Sequence, residues 1–297
     1  KRVFQDILDN GHYMASISNP NVLLLRSREE VRQLTLLKCR KVRGGYEVNG
    51  LKPFVSGSPR IKYLPVYCFQ ESPDPATPYG ITALLTVMSD QGITVEDTWK
   101  YAGMRASASH NVRFDRVFVP EDRLIGREGY GIEDTQSLIY WFRLALVSVY
   151  QGIAHAANDY VLDLVMERKD AISGKPLGFM PGVQNHIAEM HIKLEASSAL
   201  LKACADQADR EAALGRYSSG LYNQTLAVKS FVTRTANEVV WLAMQVAGMG
   251  SLNDGHLLER LYRDVRAATF HPPYEDLLKE VLAKKILGIM PAKTRWA

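Results

Sequence analysis

The sequence predicts an α+β fold, in which a small antiparallel β-sheet or barrel domain is followed by an antiparallel helical bundle. Short β-like runs separated by Gly, Pro, Asn and Ser clusters occupy residues 15–126. Three later stretches contain neither Gly nor Pro and are too long to be strands, namely 133–151, 184–214 and 221–247. A chain of 297 residues has room for two ordinary domains, so we expect the change from sheet to helices near residues 126–131.

Four apolar runs in the first part of the chain predict strands, at 46–48, 63–69, 81–88 and 112–119. The last run alternates apolar and charged residues with one slip, between Phe114 and Val117, and Pro120 ends it. The segment SPDPATP at 72–78 is predicted to be a surface loop, because three prolines so close together cannot lie inside a strand ladder.

The second glycine-free stretch carries an apolar stripe, because its apolar residues recur at steps of three or four or their sums. The stripe comprises Ile187, Met190, Leu194, Leu201 and Ala208. A neighbouring helix is expected to cover it, which gives a bundle with connections at 173–182 and 215–220. A last helix is predicted at 274–289, where Glu275 and Asp276 in the first turn complement the helix dipole.

Composition narrows the possible partners and the compartment. The formal net charge is +4, and Lys and Arg form no run with interleaved aromatics, so no nucleic-acid partner is expected. No stretch approaches about 18 uninterrupted apolar residues, so no membrane partner is expected. Cys39, Cys68 and Cys204 are far apart and lack metal-ligand spacing, which predicts free thiols and a cytoplasmic location.

Four dispersed segments carry more information than any local catalytic signature. The sequence has no phosphate loop and no dinucleotide fingerprint, and none of its seven histidines pairs with another at helical metal spacing, so no metal site is expected. The segments are GGYEVNGLKPFVSGSP (44–59), GMRASASHNVRFDRVFVPEDRLIG (103–126), WLAMQVAGMGSLNDG (241–255) and LERLYRDVRAATFHPP (258–273). In this order they resemble the middle and C-terminal domains of the acyl-CoA dehydrogenase superfamily of flavoproteins, over roughly residues 15–290.

The resemblance implies a division of the chain into three parts. Residues 1–14 correspond to the end of a missing N-terminal helical domain, 15–130 to the middle β domain, and 131–297 to the C-terminal helical bundle. It also implies FAD as the cofactor. The apolar faces expected on the helices suggest a homodimer or homotetramer built on the bundle.

Five residues match positions that hold the flavin in this superfamily. Phe54 is similar to the aromatic residue packed against the isoalloxazine, and Ser56 to the hydroxyl that hydrogen-bonds near N5. Gln245, Gly248 and Gly250 resemble the turn that approaches the adenosine diphosphate part, where glycine permits close backbone approach. The plain structural alternatives are a strand ending in a Ser-Gly turn and a helix C-cap at Gly248.

The contacts to the flavin pyrophosphate depart from the family pattern. An arginine of an "RxxFG" motif and a later glutamine are usual, but Asp170 and Pro181 occupy those places. Arg168 and Gln184 lie close by and are the candidates to replace them. If they do not, FAD is bound more weakly, or the cofactor is FMN or a diffusible reduced flavin.

The catalytic base of the family is also missing. The usual Glu follows the arginine of an "RD" pair by some nine residues, where this chain has Pro272, and an alternative position in the first long helix holds Phe142. The candidates to replace the base are His271, Glu275 and Asp276. An unperturbed histidine has a pKa of about 6.5, which suits proton transfer at neutral pH and favours His271 among the three. A helix-end histidine and plain helix N-terminal charges are the structural alternatives.

Two further pairs of residues match the family pattern, and each has a structural explanation. Arg263 and Asp264 match the "RD" pair, for which a structural ion pair is expected rather than catalysis. Arg105 and Ser107 match the turn before the last strand, where turn architecture alone is an equal alternative.

Three functions remain open on the sequence. The leading hypothesis is an acyl-CoA dehydrogenase of lipid metabolism, which oxidises an acyl thioester at Cα–Cβ by hydride transfer to flavin N5 and passes electrons to an acceptor flavoprotein. Loss of the base favours an alternative, a two-component monooxygenase in which a flavin reductase supplies reduced flavin and O₂ oxygenates a small aromatic or nitrogen compound. The third possibility is a catalytically silent partner subunit.

Overall fold

The structure is a computed structural model that describes residues 2–17 and 28–289. The chain forms two compact units. The sheet unit comprises the described residues up to Tyr101 together with Arg105–Ile139. The helical unit comprises Ala102–Met104 together with the described residues from Tyr140 onward.

Eight strands of the described chain make one sheet in the sheet unit, in the order β6-β7-β3-β2-β4-β5-β8, with β1 paired to β4. They are β1 (Tyr13–Met14), β2 (Leu37–Val42), β3 (Gly45–Val55), β4 (Ile61–Gln70), β5 (Ile81–Val87), β6 (Ile93–Glu96), β7 (His110–Pro120) and β8 (Leu124–Ile125). Three of the predicted strands are observed as parts of β3, β4 and β7, and the fourth corresponds to β5, which ends one residue before its predicted end. Most pairs are antiparallel, but β1 and β2 run parallel to β4.

The slip in the alternation of β7 corresponds to a bulge. Arg116 has a φ of 48° there, and its N–H donates to the Asn49 side-chain oxygen at 2.8 Å. Because one extra residue is inserted, Phe114 and Val117 both face the core although they are three positions apart. The strand ends at Pro120, as the sequence predicts.

Among the described residues, the sheet unit has three α-helices: α1 (Arg2–Asn10), α2 (Arg28–Leu34) and α3 (Gly131–Asp134). The first is fixed to β4 through Asp6, whose carboxylate accepts from Lys62 at 3.0 Å and from the Tyr63 hydroxyl at 2.8 Å. These hydrogen bonds hold the pKa of Asp6 well below its usual range.

The later helices are α4 (Leu138–Glu167), α5 (Pro181–Ala213), α6 (Ser219–Ala247), α7 (Leu257–Val265) and α8 (Glu275–Ile286). The three long predicted helices and the last helix are present with shifted ends. Helix α4 continues through Gly152 beyond its predicted end, while α8 stops at Ile286 rather than at residue 289. Helix α7 is an addition to the prediction. The predicted α+β class, a sheet followed by a helical bundle, is confirmed.

The core of the helical unit is formed by one face of each of its first helices. Tyr150 and Val161 of α4 pack in one cluster with Met190 of α5 and Val240 of α6. Leu258 of α7 completes this cluster and is fully buried. Of the predicted stripe on α5, the residues that are fully buried are Met190, Leu194 and Ala208.

The segment Ala102–Met104 packs on α7 in the helical unit. The Met104 N–H donates to Asp264 at 2.5 Å, and the Arg263 guanidinium donates to the Ala102 carbonyl at 2.7 Å. Arg263 also forms an ion pair with Glu259, one turn earlier. The expected structural ion pair therefore exists, but Arg263 forms it with Glu259, and Asp264 binds backbone instead.

Candidate functional site

Phe54 projects from a distorted end of β3 in the sheet unit. The pairing of β3 with β7 shifts register between Lys52 and Val55, and Phe54 has a φ of 54°, which is rare for a residue with a side chain. Its ring is 58% exposed. An exposed aromatic ring held by strained backbone is typical of a ligand contact rather than of a core position.

Two further aromatic rings flank Phe54. Trp99 and Tyr101 stack on each other with ring centroids 4.1 Å apart. The Phe54 ring meets both near its edge, with centroids 6.3 Å from Trp99 and 6.2 Å from Tyr101. This trio forms an apolar surface that fits a planar ring system such as a flavin, because flat aromatic faces stack favourably.

Ser56 lies two residues further on, in a turn that is hydrogen-bonded to the segment just before β7. Its hydroxyl lies 2.8 Å from the hydroxyl of Ser109, which lies 2.8 Å from that of Ser107. The Gly57 N–H donates to the Ser107 carbonyl at 2.7 Å. Ser56 itself is exposed, so its hydroxyl remains accessible to a ligand.

The predicted adenosine-diphosphate residues lie at the end of α6 in the helical unit. Gly248 caps the helix with a φ of 77°, and its N–H donates to the Met244 carbonyl at 2.9 Å. A cleft of ≈ 220 Å³ lies here, lined by Trp241, Met244, Gln245, Gly248, Met249, Ser251 and Leu252. A Cβ at Gly248 or Gly250 would meet no atom within 4 Å, so a ligand can approach this backbone closely.

Arg168 directly follows α4, and Gln184 lies in the first turn of α5. The Arg168 guanidinium donates to the Ala247 carbonyl at 2.9 Å, so it lies beside the Gly248 turn. The Gln184 amide donates to the Gly178 carbonyl at 3.0 Å and is exposed. Asp170, which the resemblance places at the position of the family arginine, accepts from the backbone N–H groups of the turn at 172–173 and so stabilises the loop.

His271 lies after a 3₁₀ turn that follows α7, in a cluster inside the helical unit. Its ring centroid is 5.8 Å from that of Tyr150, at a tilt of 46°. Burial and the nearby Lys229 ammonium lower the pKa of His271 to about 4. The imidazole is therefore neutral at physiological pH, and it is a weaker base than an exposed histidine.

The two carboxylate candidates differ in surroundings. Glu275 accepts from the Ser230 hydroxyl at 2.8 Å and from the Lys279 ammonium at 3.0 Å. Burial alone would raise the pKa of Glu275, but these hydrogen bonds lower it. Asp276 is exposed. Burial lowers the pKa of Lys229 and the Glu275 carboxylate opposes this, so Glu275 acts on the same cation that helps to lower the pKa of His271.

The aromatic trio around Phe54 and the surroundings of His271 contain four residues that are absent from the sequence-based candidates. Trp99 and Tyr101 precede the GMRAS turn, and their presence as WKY beside that motif was a usable signal. Tyr150 gives no such signal, since an aromatic residue on an apolar helix face is ordinary. Lys229 does, because it falls on the buried stripe of α6 where an apolar residue is expected.

No group of three His, Cys, Asp or Glu side chains in residues 2–17 and 28–289 is arranged to hold a metal ion. Within the same ranges, every helix is too short or too polar to span a bilayer.

Comparison with known proteins agrees with the resemblance. Residues 27–117 match the family model described as acyl-CoA dehydrogenase, middle domain, and residues 129–287 match acyl-CoA dehydrogenase, C-terminal domain. The chain is 30% identical over 242 residues to the putative acyl-CoA dehydrogenase YdbM of Bacillus subtilis (strain 168), which covers 81% of this chain and 60% of YdbM. It is also 30% identical over 265 residues to the amino sugar nitrososynthase DnmZ of Streptomyces peucetius, covering 85% of this chain and 63% of DnmZ.

Solved structures share the fold. An acyl-CoA dehydrogenase from Geobacillus kaustophilus matches 96% of this chain and 71% of its own, with a TM-score of 0.80 and 20% identity. PigA, solved with FAD and proline, matches 96% of this chain and 70% of its own, with a TM-score of 0.77 and 19% identity. KijD3, solved with FMN and a dTDP-sugar, matches 88% of this chain and 64% of its own, with a TM-score of 0.76 and 24% identity. The fold thus occurs in one protein solved with FAD and in another solved with FMN.

The family assignment rests on the C-terminal match, which alone spans more than half of the chain. The chain covers less than two thirds of the length of YdbM and DnmZ, so the activity of the whole protein is a separate question. By its sequence and fold, this chain belongs to the acyl-CoA dehydrogenase family.

Proposed function

We propose that the protein is a flavin-dependent monooxygenase that uses reduced flavin and O₂ to oxygenate a nucleophilic nitrogen of a small molecule. The proposal is carried by a neutral, weakly basic His271 next to Pro272, the residue that the resemblance places where the family has its base. The 30% identity to DnmZ, an amino sugar nitrososynthase, supports nitrogen as the atom that is oxygenated.

Dehydrogenation of an acyl thioester needs a base for the α-proton, and efficient general bases have a pKa near the working pH. Pro272 has no side chain that accepts a proton. His271 has a pKa of about 4, and the pKa of Glu275 is lowered by its hydrogen bonds. A nitrogen with a free lone pair needs no such base to attack an electrophilic oxygen. The side chains present therefore suit oxygenation better.

Phe54 and Ser56 of the sheet unit are proposed to contact a flavin ring. Gln245, Gly248 and Gly250 of the helical unit are proposed, taken by themselves, to contact the adenosine part of a flavin. The exposed aromatic trio and the open backbone at the two glycines fit such a group. When bound, reduced flavin supplies the two electrons by which one atom of O₂ enters the product and the other leaves as water. His271 is proposed to accept a hydrogen bond from the substrate at its unprotonated ring nitrogen and so to orient the nitrogen lone pair.

The cofactor is proposed to be reduced FMN or FAD that diffuses from a separate flavin reductase. Arg168 already donates to the Ala247 carbonyl, and Asp170 would repel a pyrophosphate where the family has an arginine. Fewer contacts to the pyrophosphate weaken the preference for FAD over FMN. An exchangeable flavin is what a two-component monooxygenase requires.

Acyl-CoA dehydrogenation with tightly bound FAD remains the second candidate, because YdbM and other relatives carry that name. Its partners would be an acyl-CoA and an electron acceptor flavoprotein. The third candidate is a catalytically silent partner subunit, for which neither flavin reduction nor oxygen uptake is expected.

The test is oxygen uptake by the purified chain with FMN or FAD, NADH, a flavin reductase and a panel of primary amines, with catalase present. We expect an amine to yield a product that carries one atom of ¹⁸O from ¹⁸O₂, as detected by mass spectrometry. Anaerobic bleaching of bound flavin by an acyl-CoA would instead establish dehydrogenation. A chain that binds no flavin in either redox state would point to the silent subunit.

Replacing Phe54 by alanine is expected to weaken flavin binding by about three- to tenfold, the value of one aromatic contact. The measurement is quenching of flavin fluorescence on titration with protein. Phe118→Ala is the matched control, since Phe118 is an exposed ring of β7 in the same unit, and it should leave the affinity unchanged. Equal affinity of the Phe54 variant and the wild type would remove Phe54 from the flavin site.

Oligomeric state and location are also proposals. Exposed apolar side chains on the helices, among them Ile192, Phe231 and Trp241, support a homodimer or homotetramer, which sedimentation equilibrium would measure. The three cysteines are free thiols, as expected in a reducing compartment such as the cytoplasm.

A further inference from the structure

Arg143 and Lys229 are buried cations on two helices of the helical unit. Arg143 of α4 is 2% exposed, and Lys229 of α6 is 1% exposed. The Arg143 Nε and the Lys229 Nζ have no hydrogen-bond partner among the residues that the structure describes. Buried donors in folded proteins are nearly always paired, and a buried charge without a counter-charge is costly. These two donors therefore call for an acceptor that the described chain does not supply.

A hydrogen bond places the Arg143 guanidinium against α6, one turn before Lys229. Its Nη1 donates to the Thr225 hydroxyl at 2.9 Å, and its Cζ lies 4.6 Å from the centre of the Tyr222 ring. Thr225 is itself 1% exposed. Residues four apart on a helix share one face, with Cβ atoms about 5–6 Å apart. Because helical side chains lean toward the N-terminus, the stem of Lys229 extends toward the turn that holds Arg143.

The surroundings of the two buried cations hold more positive than negative charge. Lys285 of α8 adds a third cation, whose ammonium lies 4.2 Å from the centre of the Tyr222 ring. Glu275 of α8 brings a carboxylate, but this accepts from the Ser230 hydroxyl at 2.8 Å and pairs with Lys279 at 3.0 Å. Its second oxygen is buried without a hydrogen-bond partner in the described chain, so Glu275 does not satisfy the two cations either.

The Lys229 ammonium keeps its charge at neutral pH. Burial lowers the pKa of Lys229 to about 8, the Glu275 carboxylate opposes this, and the Arg143 guanidinium adds to it. Since that pKa lies above neutral pH, Lys229 is mostly protonated there, and a guanidinium is always charged. A water molecule would accept hydrogen bonds from both groups, but only an anion would also balance their charge.

We propose that Arg143 and Lys229 form a binding site for the carboxylate of a small organic acid, held between α4 and α6. A carboxylate has two oxygens, so one accepts from the Arg143 Nε and the other from the Lys229 Nζ. Such charge-assisted hydrogen bonds are shorter and stronger than neutral ones. Neither residue belongs to the flavin or substrate contacts proposed above, so the inference does not rest on the monooxygenase hypothesis.

The test is thermal unfolding of the intact chain at pH 7, with acetate replacing chloride at constant ionic strength. A ligand that binds only the folded protein stabilises it, so we expect the midpoint to rise by about 2–4 °C at an acetate concentration well above its Kd. Binding is measured independently by NMR of ¹³C-labelled acetate, whose signal should broaden when the wild-type protein is added.

Lys229→Met should abolish both the shift and the broadening, because methionine has a similar length and no charge. Lys229→Arg keeps the charge and should keep a response to acetate. Lys202→Met is the matched control, since it removes a lysine on α5 that is exposed and paired with Asp206. This control should respond to acetate as the wild type does.

An acetate response of wild-type size in a folded Lys229→Met variant would overturn the proposal. A wild type that shows neither a shift nor broadening would also overturn it, and would indicate that water satisfies the two donors. Circular dichroism checks the fold of each variant, and Lys229→Gln takes the place of Lys229→Met if the latter does not fold. Because these measurements need neither flavin nor O₂, their failure is distinct from failure of the monooxygenase assay.

Discussion

Replacing His271 by alanine is expected to lower the rate of amine oxygenation by about 100-fold, the usual cost of holding a bound reactant out of its productive position. The neutral ring beside Tyr150 is the group proposed to orient the substrate nitrogen, and alanine cannot accept a hydrogen bond there. The rate of ¹⁸O incorporation at saturating reduced flavin is the measurement. Flavin affinity should change little, because the proposed flavin contacts lie elsewhere.

His191→Ala is the matched control, since His191 is exposed on α5 and should be dispensable. His271→Asn fills more of the space and keeps a hydrogen-bond acceptor, so it should retain more activity than the alanine variant. An alanine variant that oxygenates at the wild-type rate would exclude His271 from the reaction. If the His191 variant loses oxygenation activity as completely as the His271 variant, the loss would indicate damage to the fold instead.

Replacing Gly103 by alanine is expected to destabilise the helical unit by about 1–3 kcal/mol, as overpacking does in other proteins. A Cβ at Gly103 would lie 2.1 Å from the Arg263 carbonyl oxygen and 2.7 Å from its carbon. Both are backbone atoms of α7, so they cannot rotate away as a side chain could. The measurement is the urea midpoint of helix unfolding followed by circular dichroism.

Gly152→Ala is the control for this substitution. Gly152 lies inside α4, and a Cβ there would meet no atom within 4 Å. Because alanine is the better helix former, this variant should gain up to about 1 kcal/mol. The explanation by steric overlap fails if the Gly103 variant is as stable as the wild type, since Ala102–Met104 would then yield without cost.

The fold could be predicted from the sequence wherever burial of one face imposes a regular spacing on the apolar residues. The alternation of β7 and the stripe of α5 are of this kind, and even the bulge at Arg116 appears as a slip. Strand β2 could not be predicted, because LKCRKV carries three basic residues and only Leu37 and Cys39 face the core. Helix α7 spans nine residues, too short to be stable without tertiary packing.

The candidate site was predictable only in part. Motif order pointed to Phe54 and the Gly248 turn, which the structure shows to be an exposed ring and an open helix end. It could not indicate that His271 lies beside Tyr150 and near Lys229, because these groups are far apart in the chain and meet only through helix packing. The low pKa of His271 follows from that packing, so the ordinary pKa of a histidine is a misleading guide to the basicity of this one.

The anchoring of Ala102–Met104 on α7 limits how the protein can be dissected. A fragment that starts at the first residue of α3 would lack the main-chain groups that Asp264 and Arg263 bind. A fragment that ends before α4 would carry the three residues without their support. Proteolytic separation or independent expression of the halves should therefore yield pieces less robust than the intact polypeptide, and functional assays belong on the uncut chain.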